Sequence, residues 1–201
     1  MPTTAAIILA GGTSERMGTD KLALEIAGQT LLDRAVAAAS SVAKTIVVAG
    51  TPRPLGTPEP VTFVLENPPL GGPLAGIAAA LASLPAEVDE VLVLAGDLAH
   101  PDEVVALLTE SPRPSTTTEG RDGLALVDDE SFVQYLAACY RRTALAAAIG
   151  SPDDARDRGV RRVLHTLDLA TIPAPTSAVA DLDTPDQARD AGARPGVHYT
   201  L

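Results

Sequence analysis

The sequence predicts an α/β protein with a mostly parallel central sheet and helices on both faces, in three layers. Three observations carry that reading. Short apolar runs rich in β-branched residues recur along the chain, helical patterns separate them, and glycine, proline or asparagine bounds the runs. Runs that are apolar throughout, rather than alternating, fit parallel strands covered by helices on each side.

Taken in order, Ala5 to Ala10, Thr45 to Ala49, Val61 to Leu65 and Val91 to Ala95 read as buried strands. Leu31 to Val42, Leu74 to Leu84 and Asp102 to Leu108 read as the helices between them. The last begins at Pro101-Asp102-Glu103, where a proline and two acids suit the free amides of a first helical turn. The second half is less regular. Gly123 to Val127, Phe132 to Cys139 and Leu167 to Ile172 are expected strands. Thr143 to Gly150, Asp153 to Leu164 and Thr184 to Ala191 are expected helices. Ser111-Pro112-Arg113-Pro114 and Pro173-Ala174-Pro175 punctuate loops, so residues 1–201 are expected to form one domain.

The 201 residues carry 15 Lys plus Arg against 26 Asp plus Glu, a net charge of −11. A surface this acidic argues against long nucleic acids or anionic membranes as partners, because phosphate recognition draws on cations. The single Cys139 excludes an internal disulfide and reads as a small buried hydrophobe. No apolar stretch is long enough to span a bilayer, and Ala5 to Ala10 is too short for a signal-peptide core, so a cytoplasmic location is expected. His165 and His198 have no metal-site spacing.

The densest chemistry follows the first strand, in Leu9-Ala10-Gly11-Gly12-Thr13-Ser14-Glu15-Arg16-Met17-Gly18-Thr19-Asp20-Lys21. A glycine pair after a buried strand lets backbone amides face an anion, and Arg16 and Lys21 add charge. The spacing is that of neither a P-loop nor a dinucleotide fingerprint. A strand-to-helix turn bearing solvated cations is the plainer reading.

This loop resembles the signature Leu-Ala-Gly-Gly-x-Ser-x-Arg-Met-Gly-x-Asp-Lys of the molybdenum cofactor guanylyltransferases, with every fixed position met. The resemblance implies a Rossmann-like nucleotidyltransferase fold. It also implies that Leu9, Ala10, Gly11 and Gly12 contact the nucleotide and that Arg16 and Lys21 neutralise its triphosphate. Glu66-Asn67-Pro68-Pro69-Leu70-Gly71-Gly72-Pro73-Leu74-Ala75-Gly76 is similar to the family's base-binding loop, which assigns Asn67 and Gly72 to the nucleotide. Asn67 stands where an Asp is often found. A turn with proline at the first helical position explains Gly71-Gly72-Pro73 equally well.

Ala95-Gly96-Asp97-Leu98-Ala99-His100-Pro101 resembles the family's acidic segment, which makes Asp97 a nucleotide and magnesium ligand; a helix cap is the alternative. His100 reads as a surface partner. Asp181-Leu182-Asp183-Thr184-Pro185-Asp186 resembles the box before the last helix, with aspartates in place of two asparagines. Asp183 is thereby a second expected magnesium ligand, and Asp181 and Asp183 expected acceptor contacts, although a helix cap again fits. The segment Gln134 to Arg142 resembles one that encloses the acceptor, which points to Arg141 and Arg142. The interleaved charges of Asp153, Asp154, Arg156, Asp157, Arg158, Arg161 and Arg162 read as a solvated, salt-bridged helix.

The resemblance implies transfer of GMP from GTP to the terminal phosphate of molybdopterin, with Mg2+ as cofactor and pyrophosphate as product. A cytidylyltransferase, another NTP transferase with a different phosphorylated acceptor, and a non-catalytic nucleotide-binding protein remain open. The glycine spacing disfavours a dinucleotide-dependent oxidoreductase. Oligomeric state is not legible.

Overall fold

The structure, a computed structural model, describes residues 2–11, 20–110, 120–182 and 184–195. Seven strands form the main sheet: β1 (Thr4–Leu9), β4 (Thr45–Ala49), β5 (Thr62–Val64), β6 (Glu90–Ala95), β7 (Gly123–Val127), β8 (Val133–Arg141) and β9 (Leu169–Pro173). Their order is β5-β4-β1-β6-β8-β7-β9. Only β8 runs against the others, pairing antiparallel with β6 and β7, while β7 pairs parallel with β9. The expected mostly parallel sheet is therefore the one observed.

Residue parity along each strand builds the three layers. Ala6 and Ile8 of β1, Ile46 and Val48 of β4, and Leu92 and Leu94 of β6 pack with helices α1 (Leu31–Ser40) and α3 (Pro101–Glu110). The alternate residues, Ala5, Ile7, Val47, Val91 and Val93, pack on the opposite face. Their partners are α2 (Pro73–Ser83), α4 (Arg142–Ile149) and α6 (Val160–Leu164). Because both faces are buried, the positions after the first residue of β1, β4 and β6 are all apolar, which is why these strands read as continuous apolar runs. Cys139 is buried in β8.

Helix ends follow local chemistry. Thr30 caps α1, its side-chain oxygen accepting from the Asp33 amide while its hydroxyl donates to Asp33 Oδ2 at 2.7 Å. The buried Asp33 also accepts from the Gly56 amide at 2.8 Å, tying the loop after β4 to α1. Gly72 precedes α2 with φ of 85°, a left-handed conformation that suits glycine, and Pro73 begins the helix.

Two features differ from the sequence reading. The expected helix over Asp153 to Leu164 is broken into α5 (Pro152–Ala155) and α6, because Arg156 is already extended and Asp157 has φ of 55°. A small second sheet was also missed, formed by β2 (Leu24–Ile26), β3 (Gln29–Thr30) and β10 (Arg194–Pro195). Strands of two or three residues are too short to show a period. This sheet, α1 and α7 (Pro185–Asp190) share a satellite core of Leu24, Leu31, Ala99, Leu182 and Ala188.

Candidate functional site

The C-terminal ends of β1, β4 and β6 lie side by side, and loops leave the sheet there. In open α/β sheets this is where ligands bind. Two glycines let the loops approach β1. A Cβ on Gly50 would stand 2.6 Å from the Ala10 carbonyl oxygen, and one on Gly96 would stand 2.7 Å from that of Leu9. The Gly96 amide instead donates to Leu9 O at 2.9 Å, so the turn carrying Asp97 hugs the end of the first strand.

A cavity of about 410 Å³ opens between these ends and the start of α2. Leu9, Ala10, Gly11 and Gly72 line it, together with Arg53 and Glu66. A hollow of about 450 Å³ between α1 and α3 lies away from the strand ends and holds none of the expected residues. Asn67 does not line the cavity at the strand ends; it is exposed on the loop, and Glu66 takes the lining position. Glu66 Oε1 also accepts from the Gly71 amide at 3.2 Å, closing the loop on itself. Leu70, with φ of 63° and 71% of its surface exposed, is held out at the rim of the cavity. A bulky residue in that conformation persists only where its surroundings enforce it.

The enforcement comes from the second half of the chain. Arg156 Nη1 donates to Pro68 O, and the Asp157 amide donates to Gly71 O at 2.9 Å. Arg156 is therefore a brace for the loop rather than part of a salt-bridged helix face. The break after α5 frees it for that role, and no local sequence pattern signals a contact 88 residues away.

Lys21 begins a single 3-10 turn, Lys21–Ala23, capped by Asp20, whose Oδ1 accepts from the Leu22 amide at 3.1 Å. Leu22 is buried in the core and anchors the turn. Lys21 Nζ forms an ion pair with Asp97 Oδ2, and both side chains are largely buried, at 21% and 12% exposure. Two of the residues expected to carry the chemistry are thus in contact across the end of β1. Leu98 bridges to Asp181, and the Leu182 amide donates to Asp97 O at 3.2 Å, which places Asp181 beside the Asp97 turn. His100 is exposed and its carbonyl accepts from the Val104 amide at the start of α3.

On the β8 side of this turn a smaller cavity of about 200 Å³ is lined by Ala95, Gln134, Tyr135, Arg161 and Asp181. The Arg161 guanidinium sits 5.7 Å from the centroid of the half-exposed Phe132 ring.

Arg141 and Arg142 are not in this site, which corrects the acceptor reading. In the β6–β8 register Arg141 faces Glu90, the first residue of β6, whereas Asp97 follows the last. A six-residue strand separates them by roughly 20 Å. The antiparallel course of β8 carries its C-terminal end to the far edge of the sheet. There Arg141 Nη2 donates to Asp122 Oδ1 at 2.7 Å and to Gly120 O at 3.2 Å, and Arg142 Nη1 donates to Pro85 O at 2.6 Å. Gly12, Arg16 and Asp183 lie outside the described residues.

With that geometry in place, a family model described as a MobA-like NTP transferase domain matches residues 6–171. The chain belongs to this family. A probable molybdenum cofactor guanylyltransferase from Synechococcus elongatus is 40% identical over 100 residues, which cover 47% of this chain and 50% of that protein. One from Chloroflexus aggregans is 32% identical over 149 residues, covering 71% and 67%. The matched stretch spans about half the length of the first of these relatives. Among solved structures, molybdopterin-guanine dinucleotide biosynthesis protein A from Archaeoglobus fulgidus superposes with a TM-score of 0.65 at 20% identity, covering 93% of this chain and 96% of that one. A 4-diphosphocytidyl-2C-methyl-D-erythritol synthase from Anaerococcus prevotii gives 0.62 at 12% identity, covering 94% and 96%. These likenesses show a shared nucleotidyltransferase fold.

Proposed function

We propose that the chain acts as one nucleotidyltransferase domain that transfers GMP from GTP to the terminal phosphate of molybdopterin. The observation that carries this reading is the contact of Lys21 with Asp97 beside a cavity walled by Leu9, Ala10, Gly11 and Gly72. The names of the curated relatives support the choice of substrates. A phosphate oxygen of the acceptor forms a bond to the α-phosphorus of GTP as the bond from that phosphorus to the bridging oxygen breaks. Pyrophosphate takes the electron pair. The nucleophile is already anionic, so the site needs no general base; it must bring two polyanions together and shield the charge that builds.

Each side chain then has a task. The main chain of Leu9 to Gly11 faces the nucleotide, Gly12 is assigned to it as well, and Gly72 allows the loop to turn at the base. Arg16 and Lys21 shield the triphosphate. In the free protein Lys21 is spent on Asp97, so nucleotide binding requires it to exchange that carboxylate for phosphate oxygens. Asp97 fits a divalent cation such as Mg2+, since a largely buried carboxylate offers the hard oxygen such an ion would take. Asp183 is assigned as its partner on the resemblance of Asp181-Leu182-Asp183-Thr184-Pro185-Asp186 to the family's box before the last helix. When bound there, the ion supplies a further positive charge at the phosphates. A mycobacterial relative of this fold has been solved as a manganese complex, in keeping with a divalent ion.

The acceptor is assigned to the smaller cavity, where Arg161 and Asp181 replace Arg141 as its polar contacts. Partners are accordingly small molecules, and no helix among the described residues is long and apolar enough to cross a membrane. The test is pyrophosphate release across a matrix of nucleoside triphosphates and phosphorylated acceptors with magnesium. Release requiring both GTP and molybdopterin is expected. Release with CTP but not GTP makes the chain a cytidylyltransferase, and GTP binding without release under any condition makes it a binding protein.

A further inference from the structure

We infer that Arg53 is a positioning residue for the phosphate-binding segment: acting through Asp20, it fixes and neutralises the turn that aims Lys21 at the triphosphate. The inference rests on the nucleotidyltransferase reading. Arg53 lies in the loop beyond β4 and lines the same cavity as Leu9, Gly11 and Gly72. Its side chain is three-quarters buried, and Nη1 donates to Asp20 Oδ2 at 2.5 Å. The other oxygen of that carboxylate caps the turn beginning at Lys21. One carboxylate therefore joins the end of β4 to the lysine, and charges alternate Arg53, Asp20, Lys21, Asp97 from the end of β4 to the end of β6.

Two physical arguments give this arrangement a purpose. Asp20 is adjacent in sequence to Lys21 and carries the wrong sign for a triphosphate site. Without a cation on it, its carboxylate repels the nucleotide and competes for the Lys21 ammonium. An exposed ion pair does little for stability, because two long side chains must be ordered to make it. Here Asp20 is already fixed by capping the turn and Arg53 by burial, so the pair forms with little further ordering. The contact with Asp20 ties the guanidinium into the cavity wall. Arg142 at the far edge differs, placing its guanidinium on two backbone carbonyls.

The test is titration of the full chain with GTP and magnesium chloride, followed by steady-state kinetics, with melting temperature recorded for each variant. Arg53→Ala is expected to weaken GTP–magnesium binding roughly tenfold and raise KM for GTP similarly, with kcat at saturating GTP and KM for the acceptor nearly unchanged. Arg53→Lys should restore part of the loss. Asp20→Asn keeps the turn's cap and removes the charge, so Asp20→Asn with Arg53→Ala should bind no worse than Arg53→Ala alone. Binding by Arg53→Ala within twofold of wild type overturns the inference. Losses that multiply in the double variant also overturn it, because Arg53 then acts on the nucleotide without Asp20. A wild-type chain that binds no nucleoside triphosphate overturns the underlying reading and this inference together; wild-type binding that Arg53→Ala leaves intact overturns the inference alone.

Discussion

The two ends of the central sheet are both rich in charge and use it differently. At the far edge, cations are spent on the chain itself: Arg141 on Gly120 O and Asp122, and Arg142 on Pro85 O and Leu84 O. Carboxylates there accept from backbone amides, Asp89 from Thr3 at 2.9 Å and Asp122 from Asp168 at 3.0 Å. These contacts close loops. At the ligand edge the pairs Lys21–Asp97 and Arg53–Asp20 join side chain to side chain beside a cavity, where an incoming polyanion can exchange partners with them. Arg141 is shared between a carboxylate and a carbonyl within closed loops, whereas Lys21 and Arg53 meet carboxylates beside open space, where a ligand can recruit them.

Substitutions that separate turnover from stability test this contrast. The largest effect is expected from Lys21→Ala, which should lower turnover by about 100-fold or more while leaving the melting temperature close to wild type. Asp97→Asn should cost turnover on the same order, and added magnesium should not restore it. Arg141→Ala is expected to do the reverse: activity stays within about twofold, and stability falls by about 1–2 kcal/mol in denaturant titration as Gly120 O and Asp122 lose their donor. Comparable activity losses from Lys21→Ala and Arg141→Ala would erase the distinction between the two edges. Arg156→Ala releases the loop at Pro68, so KM for GTP should rise several-fold with little change in kcat.

The smallest effects concern pH. Burial pushes the Tyr140 phenol far above its ordinary range, and its hydroxyl donates to Tyr135 O at 2.7 Å. The folded chain therefore keeps this proton where the unfolded chain loses it, so stability should decline as pH rises above about 10. Tyr140→Phe should show a shallower decline in thermal unfolding over that interval. Hydrogen bonds from Ser151 hold the Asp154 carboxyl below its usual range, so its contribution is present above the unfolded-state pKa and fades as pH falls through the folded one.

Much of the ligand edge was legible because its chemistry is local. Leu9, Ala10, Gly11 and Lys21 fall within thirteen residues, and a buried parallel strand places its following loop at one end of the sheet. Asp97 and Gly72 follow the same logic after β6 and before α2. Asn67 is exposed while its neighbour Glu66 lines the cavity, and a loop held by Glu66 has no period from which to tell which residue faces inward. Arg141 was misplaced because direction along β8 decides its edge, and an apolar run looks the same read either way. Arg53 and Arg156 act through contacts with residues 33 and 88 positions away, which only the folded chain brings together. The net charge of −11 describes the surface; the ligand edge gathers Arg53 and Lys21 against it.

The most direct test of the central claim follows the label from α-32P-GTP in the presence of molybdopterin and magnesium. The account predicts that the label enters a dinucleotide product as one pyrophosphate is released per transfer, and that Lys21→Ala abolishes both. Label that stays in GTP with wild-type enzyme, or that transfers equally well with Lys21→Ala, would contradict it.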